Sequence, residues 1–424
     1  MLQLKQLSDE KRVVRLTALA TLLELERSGA MKAPETGHFV NNHIHTKFSF
    51  SPYYPTGAIW YARAAGLQTA GIMDHDSVSG IDEFYVAGDL CKMPVTSGFE
   101  VRVNLADSPF GDRRVNNPDQ NGVAYVACHG IPKNRTAQAE AFLGPIRAAR
   151  NIRNQAMVVR LSELLAPADI FIDFDKDVAP LSRFKEGGSI TERHLLFAVS
   201  MALVERFGKR GDVVPFLSDK LGVQCSDKVK AQLSDVDNPF YEYDLLGLLK
   251  AYLVKDFYIP AKAELPEPRK FIEFVRSIGA ISAYAYLGDV GSSVTGDKQT
   301  AKYEDDYLDD LFDYLKYTGF DAITYMPSRN TSEQLSRVMA LCDKHNFFQI
   351  SGEDINSPRQ SFICPALSKP EYAHLYEATW ALIGHERAAA KNPADSFTSP
   401  QTAEKYPKMA ERVKAFAAMC RERS

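Results

Sequence analysis

The feature that most restricts the fold of this chain is a series of short strand-like segments, each ending on a residue able to bind a cation. HFVNNHIHT delivers His43 and His45, LQTAGIMDHD delivers Asp74 and His75, PVTSGFEVRV carries Glu100, and VAYVACHGIP carries His129. A helix is expected between the first two. It begins after Pro55, with Thr56 placed to cap it, Ile59, Trp60 and Ala64 facing inward, and Gly66 ending it. Strands alternating with helices, with the reactive side chains at strand C-termini, imply a β/α barrel or a related α/β fold. In such folds the site collects on the C-terminal face of a parallel sheet.

The same rhythm returns late in the chain. FIEFVRSIGAISAYAYLGDV reads as helix then strand, KYEDDYLDDLFDYLKYTGFDAITYMPS repeats it, and SEQLSRVMALCDKHNFFQISGEDINSP repeats it again, placing Asp354 just beyond a strand. In the middle unit Tyr303, Tyr307, Leu308, Leu311, Phe312 and Leu315 recur at helical spacing and predict the buried stripe, which leaves the acidic run as a solvated face. Between Arg135 and Pro268 the alternation stops. RHLLFAVSMALVERFG and VDNPFYEYDLLGLLKAYL have helical periodicity, so this stretch reads as a helical insertion over one side of the site. The resulting division is an N-terminal helical arm (1–36), a first barrel segment (37–134), a helical cap (135–268), a second barrel segment (269–366) and a C-terminal helical extension (367–424).

Composition narrows the function classes. Fifty Lys and Arg against 54 Asp and Glu give a formal net charge of -4, so no overall basic surface draws the chain to nucleic acid or an anionic membrane. The six cysteines contain no C-x-x-C pair, which disfavours a thiolate zinc site and a disulfide framework. The N-terminus lacks a secretory pattern and no apolar run approaches the ~18 residues of a membrane span, so the expected location is cytoplasmic.

His43 and His45 form an H-x-H on one strand, and side chains two apart point to the same face. A buried set of several His and carboxylates is costly unless cations or protons neutralise it. His38, His345, His374 and His385 have no such context and read as packing or surface residues.

These segments carry a family resemblance. HIHTKFSFSPY resembles the first motif of the PHP (polymerase and histidinol phosphatase) domain family, GIMDHDSVSG the second, and GFEV the third. GFDAITYMPSRNT followed by SGEDINS resembles its closing region, and RHLLFAVS is similar to a helix in the insertion of its metal-dependent phosphoesterases. The resemblance implies a distorted (β/α)7 TIM-like barrel with a largely helical insertion. It implies hydrolysis of a phosphate ester, of a small phosphorylated metabolite or nucleotide, by a hydroxide bridging two metals. His43, His45, Glu100 and Asp354 would hold a first metal, with Glu100 bridging to a second completed by His129 and His194. His75 and Asp74 would serve a third. Two or three divalent ions are expected, and mixed His/carboxylate ligation suits Zn, Mn or Fe better than Mg. His129 or His75 would protonate the leaving group, while Arg102, Arg193, Arg329 and Tyr286 are candidates for phosphoryl contacts.

The chain also departs from the pattern. Asn356 stands where the closing D-x-H has histidine, Phe50 and Ser51 stand where Asp or His is usual, and the late A-H-P turn reads Ala285-Tyr286-Leu287. Two other readings therefore stay open: an amidohydrolase-type metallohydrolase, and a PHP-derived metal-binding or regulatory module without turnover.

Overall fold

Seven strands among the described residues lie side by side in chain order: β1 (Val40–Ile44), β2 (Thr69–His75), β3 (Val95–Asn104), β4 (Val123–His129), β5 (Ile281–Ala285), β6 (Ala322–Tyr325) and β7 (Phe348–Ser351). The computed structural model describes residues 2–290 and 301–421. β1, β2 and β3 are mutually parallel, as are β5, β6 and β7, but β4 runs antiparallel to both of its neighbours. The sheet is therefore mixed, not the uniformly parallel one expected. No crossover helix separates β3 from β4, and the direct connection returns the chain in the opposite sense.

The sheet curls into a nearly closed barrel whose two edges meet through the Ile44–Ile355 bridge, where His45 N–H donates to the Ile355 carbonyl at 3.0 Å and Ile355 N–H to the His43 carbonyl at 3.1 Å. Side-chain amides close the rest of the seam. Asn41 Nδ2 donates to the Glu353 carbonyl at 3.1 Å, its Oδ1 accepts from Glu353 N–H at 3.0 Å, and Asn42 Nδ2 donates to the Ser351 carbonyl at 2.8 Å. Gly352 permits this approach, since a Cβ there would lie 2.5 Å from the Cβ of His43.

The helices are α1 (Leu2–Gln6) and α2 (Arg12–Arg27) in the arm, then α3 (Pro55–Ala64) and α4 (Ile81–Cys91) after β1 and β2. The insertion holds α5 (Thr136–Leu165), α6 (Glu192–Phe207), α7 (Val213–Leu221), α8 (Asp227–Ser234) and α9 (Tyr241–Phe257). α10 (Pro268–Ser277), α11 (Leu308–Thr318) and α12 (Ser332–His345) precede β5, β6 and β7, and α13 (Ala373–Lys391), α14 (Pro400–Lys405) and α15 (Met409–Arg421) finish the chain. In α11 the expected stripe is buried at Leu308, Leu311, Phe312 and Leu315. Thr56 does not cap α3. Pro55 opens that helix, and the Thr56 hydroxyl donates instead to buried Glu83, which also takes Arg15 Nε of α2 at 2.8 Å and so fastens the arm. His385 is a core residue, its Nε2 2.9 Å from the Gly130 carbonyl. No described helix is long and apolar enough to cross a membrane.

The cap has its own apolar core, built on Met157, Leu161, Leu195, Val199, Leu245 and Leu249, and Phe50 from the loop after β1 belongs to it. Its ring meets His194 edge-on at 5.0 Å and contacts Phe197 and Tyr243. Phe50, one of the two residues standing where the resemblance led to an expectation of Asp or His, is thus the apolar plug joining barrel to cap.

A buried ion network makes the second joint. Glu192 lies 2.9 Å from Arg150 and 2.8 Å from Arg153, Glu264 accepts from Arg102 at 2.6 Å and Arg153 at 2.8 Å, and Asp76 pairs with Arg150. Three arginines meet three carboxylates, so the cluster is neutral as a whole and each charge has a partner.

Candidate metal centre

His43, His45 and Glu100 present one ligand atom each within 4.8 Å of one another, and all three are buried. The two imidazoles reach the same place because they alternate with Ile44 along β1, their Nε2 atoms lying 3.2 Å apart. Glu100 Oε1 is 3.3 Å from His43 Nε2, while Oε2 is 3.3 Å from His75 Nδ1 and 4.0 Å from His45 Nε2. β2 and β3 pair in a register that sets His75 opposite Glu100, so both face the barrel interior. Asp354, at the seam, places Oδ1 3.1 Å from His45 Nε2.

Asp74 stands apart from this set. One residue before His75, it is turned away from Glu100, and its carboxylate accepts hydrogen bonds at 2.6 Å from Thr46 N–H, the Thr46 hydroxyl and the Ser49 hydroxyl. Ser49 Oγ is also 3.2 Å from His45 Nδ1. Asp74 therefore holds the loop that orients His45 instead of joining the cluster.

His129 enters from the reversed strand, opposite Gly98 and so two residues below the level of Glu100. It is fully buried and its Nε2 has no hydrogen-bond partner, an arrangement a cation would satisfy. Burial, and then the charge of nearby His43, lower its imidazole to about 3. His194 is committed to structure: its Nδ1 accepts from Thr191 N–H at 3.0 Å in a capping box that starts α6, and it hydrogen-bonds the Ser49 backbone.

The field at the cluster is negative. Burial works against a charged His43, yet Glu100, with Asp354 and Glu353 behind it, raises that imidazole to about 9. Burial likewise opposes ionised Asp354, but the hydrogen bond and charge of His45 hold its carboxyl well below the usual range. Two histidine nitrogens in contact, two carboxylates and an unsatisfied third imidazole form a donor set that fits a divalent transition metal.

The other candidates fall in three places. Arg102 is buried in the ion network, with Glu264 at 2.6 Å, the Tyr258 hydroxyl at 3.3 Å and Glu192 at 3.6 Å; as the second residue after Glu100 on a long strand, it rises past the cluster into the cap. Tyr286 is buried and donates to Asp305 at 2.6 Å, and Arg329 Nε donates to the Leu287 carbonyl at 3.2 Å, so both organise the loop after β5. The charge of Arg193 adds to that of His45 and His43 in lowering the Asp354 carboxyl. Asn356 Nδ2 donates to Asp354 Oδ1 at 2.6 Å, which orients that carboxylate. Lys250 on α9, which nothing in the sequence marks out, has its ammonium lowered by the charge of Arg193 and then by burial.

No protein-family model and no curated protein sequence matches the chain. Solved structures do resemble it. One is a Bifidobacterium adolescentis protein assigned as a metal-dependent phosphoesterase, 20% identical, with a TM-score of 0.51 over 79% of this chain and 94% of that one. Another is an amidohydrolase from Chromobacterium violaceum with bound sulfate and no metal, 16% identical, with a TM-score of 0.52 over 80% and 96%. At these identities the likeness establishes the fold: a seven-stranded TIM-like barrel with a helical insertion.

Proposed function

We propose that the chain is a metal-dependent hydrolase. Within that class we propose a PHP-type phosphoesterase acting on a small phosphorylated metabolite or nucleotide. The observation that carries this reading is the convergence of His43, His45 and Glu100 on one buried point, with half-buried Asp354 reaching His45 from the seam. The assignment of one structural neighbour as a phosphoesterase and the sulfate bound in the other support it.

His43, His45, Glu100 and Asp354 would hold the first ion. Glu100 turns one oxygen to His43 and the other to His75, the disposition of a carboxylate shared between two ions. His129 and His75 are the remaining donors for the second. His194 could join only by giving up its present contacts. When bound, Zn, Mn or Fe would neutralise charge on the phosphoryl oxygens and lower the pKa of a water. The chain's own part is to hold the donors rigidly and keep bulk water out with the cap. His75, more exposed than His43 or His45, would move a proton to the leaving oxygen only in a state in which it does not ligate the second ion.

The test is elemental analysis of protein purified without chelators, alongside assays on phosphomonoesters, nucleotides, amides and lactones. Bound transition metal with release of phosphate supports the reading. Hydrolysis of amides or lactones alone would reassign the chemistry. Metal without turnover would favour a binding module, a reading that Phe50 supports by filling a usually polar position with an apolar plug.

Asp74→Asn provides a finer check. Its carboxylate fixes the Thr46–Ser49 loop beside His45, so the substitution is expected to weaken metal affinity roughly 10- to 100-fold while the barrel stays folded. Titration with a chromogenic chelator would measure it, and unchanged affinity would remove Asp74 from any supporting role.

A further inference from the structure

Asp76, directly after His75, has a backbone φ of +50°, in the left-handed region that residues other than glycine enter at a cost. The other described non-glycine residues with positive φ, Lys92, Asp169 and Asn346, each end a helix, where that conformation is a usual stop. Asp76 follows the strand β2 instead, so its conformation has another cause.

The contacts supply one. Asp76 is buried, and its N–H, carbonyl and carboxylate are all engaged. The N–H donates to the Glu100 carbonyl at 2.8 Å, the carbonyl accepts from Arg147 Nη1 at 2.9 Å, and the carboxylate pairs with Arg150 Nη1 at 2.5 Å. Arg147 and Arg150 are one turn apart on α5, so a single cap helix grips the residue by backbone and side chain together. Ser77 adds a further tie, its hydroxyl donating to the Gly187 carbonyl of the cap at 2.7 Å. The neighbouring strand is fastened in the same way, because Arg102, two residues after Glu100, reaches Glu264 at 2.6 Å.

His75 and Glu100, the donors whose Nδ1 and Oε2 lie 3.3 Å apart, thus stand one and two residues before side chains locked into the cap. If the turn at Asp76 relaxed, the last residue of β2 would move with it and His75 would lose its place opposite Glu100. His43 and His45 have support within the barrel itself, since Asp74 holds the loop that follows them.

We propose that Asp76 is a positioning residue through which the seated cap sets the half of the centre built on His75 and Glu100 Oε2. The ion drawing on His75 is then held tightly only while α5 grips this turn. The proposal rests on the metal-dependent reading, but not on which ester or amide is the substrate.

Co2+ is the probe, titrated into full-length, metal-free wild type, Asp76→Gly, Asp76→Asn and Arg150→Met. Visible absorption and elemental analysis give the affinity and number of ions bound, and a melting temperature is recorded for each protein. Wild type is expected to take up two equivalents. Glycine adopts the left-handed region freely but cannot hold Arg150, so Asp76→Gly should keep the first equivalent and weaken the second roughly 10- to 100-fold. Arg150→Met breaks the same link from the cap side and should reproduce that selective loss. Asparagine tolerates positive φ and can accept from Arg150 through its amide oxygen, so Asp76→Asn should restore most of the second equivalent. Weakening of both equivalents together, in step with the melting temperature, would reduce Asp76 to support of the fold and overturn the proposal. Wild-type affinity for both equivalents in Asp76→Gly or in Arg150→Met would overturn it too, with the metal-dependent reading intact. A wild type that takes up one equivalent would leave no second ion to position and would also overturn it, and uptake of none would overturn the metal-dependent reading as well.

Discussion

Glu100→Ala is expected to lower ester hydrolysis on the order of a thousandfold or more and to cut metal content, with the barrel still folded. One carboxylate serves His43 through Oε1 and His75 through Oε2, so its loss removes a donor from both halves of the cluster at once. Metal charge stabilisation is worth several kcal/mol in such reactions, and each ~1.4 kcal/mol is a factor of ten in rate. The negative field that raises His43 to about 9 would also weaken, since Glu100 is its largest source. Circular dichroism separates loss of the site from loss of the fold. Retention of full metal content and activity would show that the chemistry lies elsewhere.

The second large effect is on stability. Glu192→Gln leaves three buried arginines facing two carboxylates, and an uncompensated buried charge costs about 3–5 kcal/mol. Burial opposes ionised Glu192, but Arg150, Arg102 and Arg153 outweigh it and hold its carboxyl well below the usual range. The denaturant midpoint should fall accordingly, with the cap loosening first because Glu192 starts α6. Joint replacement of Glu192 and Arg153 by Met should cost less than Glu192→Gln alone, since Arg150 keeps Asp76 and Arg102 keeps Glu264. A midpoint unchanged in Glu192→Gln would mean that water reaches the cluster and Phe50 alone seats the cap.

Much of the cluster was legible because strand periodicity is strict. H-x-H places both imidazoles on one face, and D-H splits its two residues between faces, a consequence of the same rule that the resemblance had masked for Asp74. The direction of β4 was not legible, since VAYVACHGIP reads equally well as a strand in either sense and only its partners decide. Arg102, Arg150 and Arg153 resemble ordinary solvated charges in sequence, and only tertiary packing gathers them with Glu192 and Glu264. Asn41 and Asn42 carried no signal either, because their amides matter only where the two edges of the sheet meet.

That seam bears on the order in which the molecule can assemble. Asn41 and Glu353 exchange hydrogen bonds across it although they stand 312 positions apart. Neighbouring strands of the first half can pair early, since little chain entropy is lost in closing short loops, whereas this contact waits for nearly the whole polypeptide. During synthesis His43 and His45 are made long before Asp354, so an incomplete chain holds most of the donors without the enclosure that gives them a common cation. Capacity for chemistry is thus tied to completion of the last strand, and a C-terminal truncation before β7 removes the site together with the edge that closes the barrel.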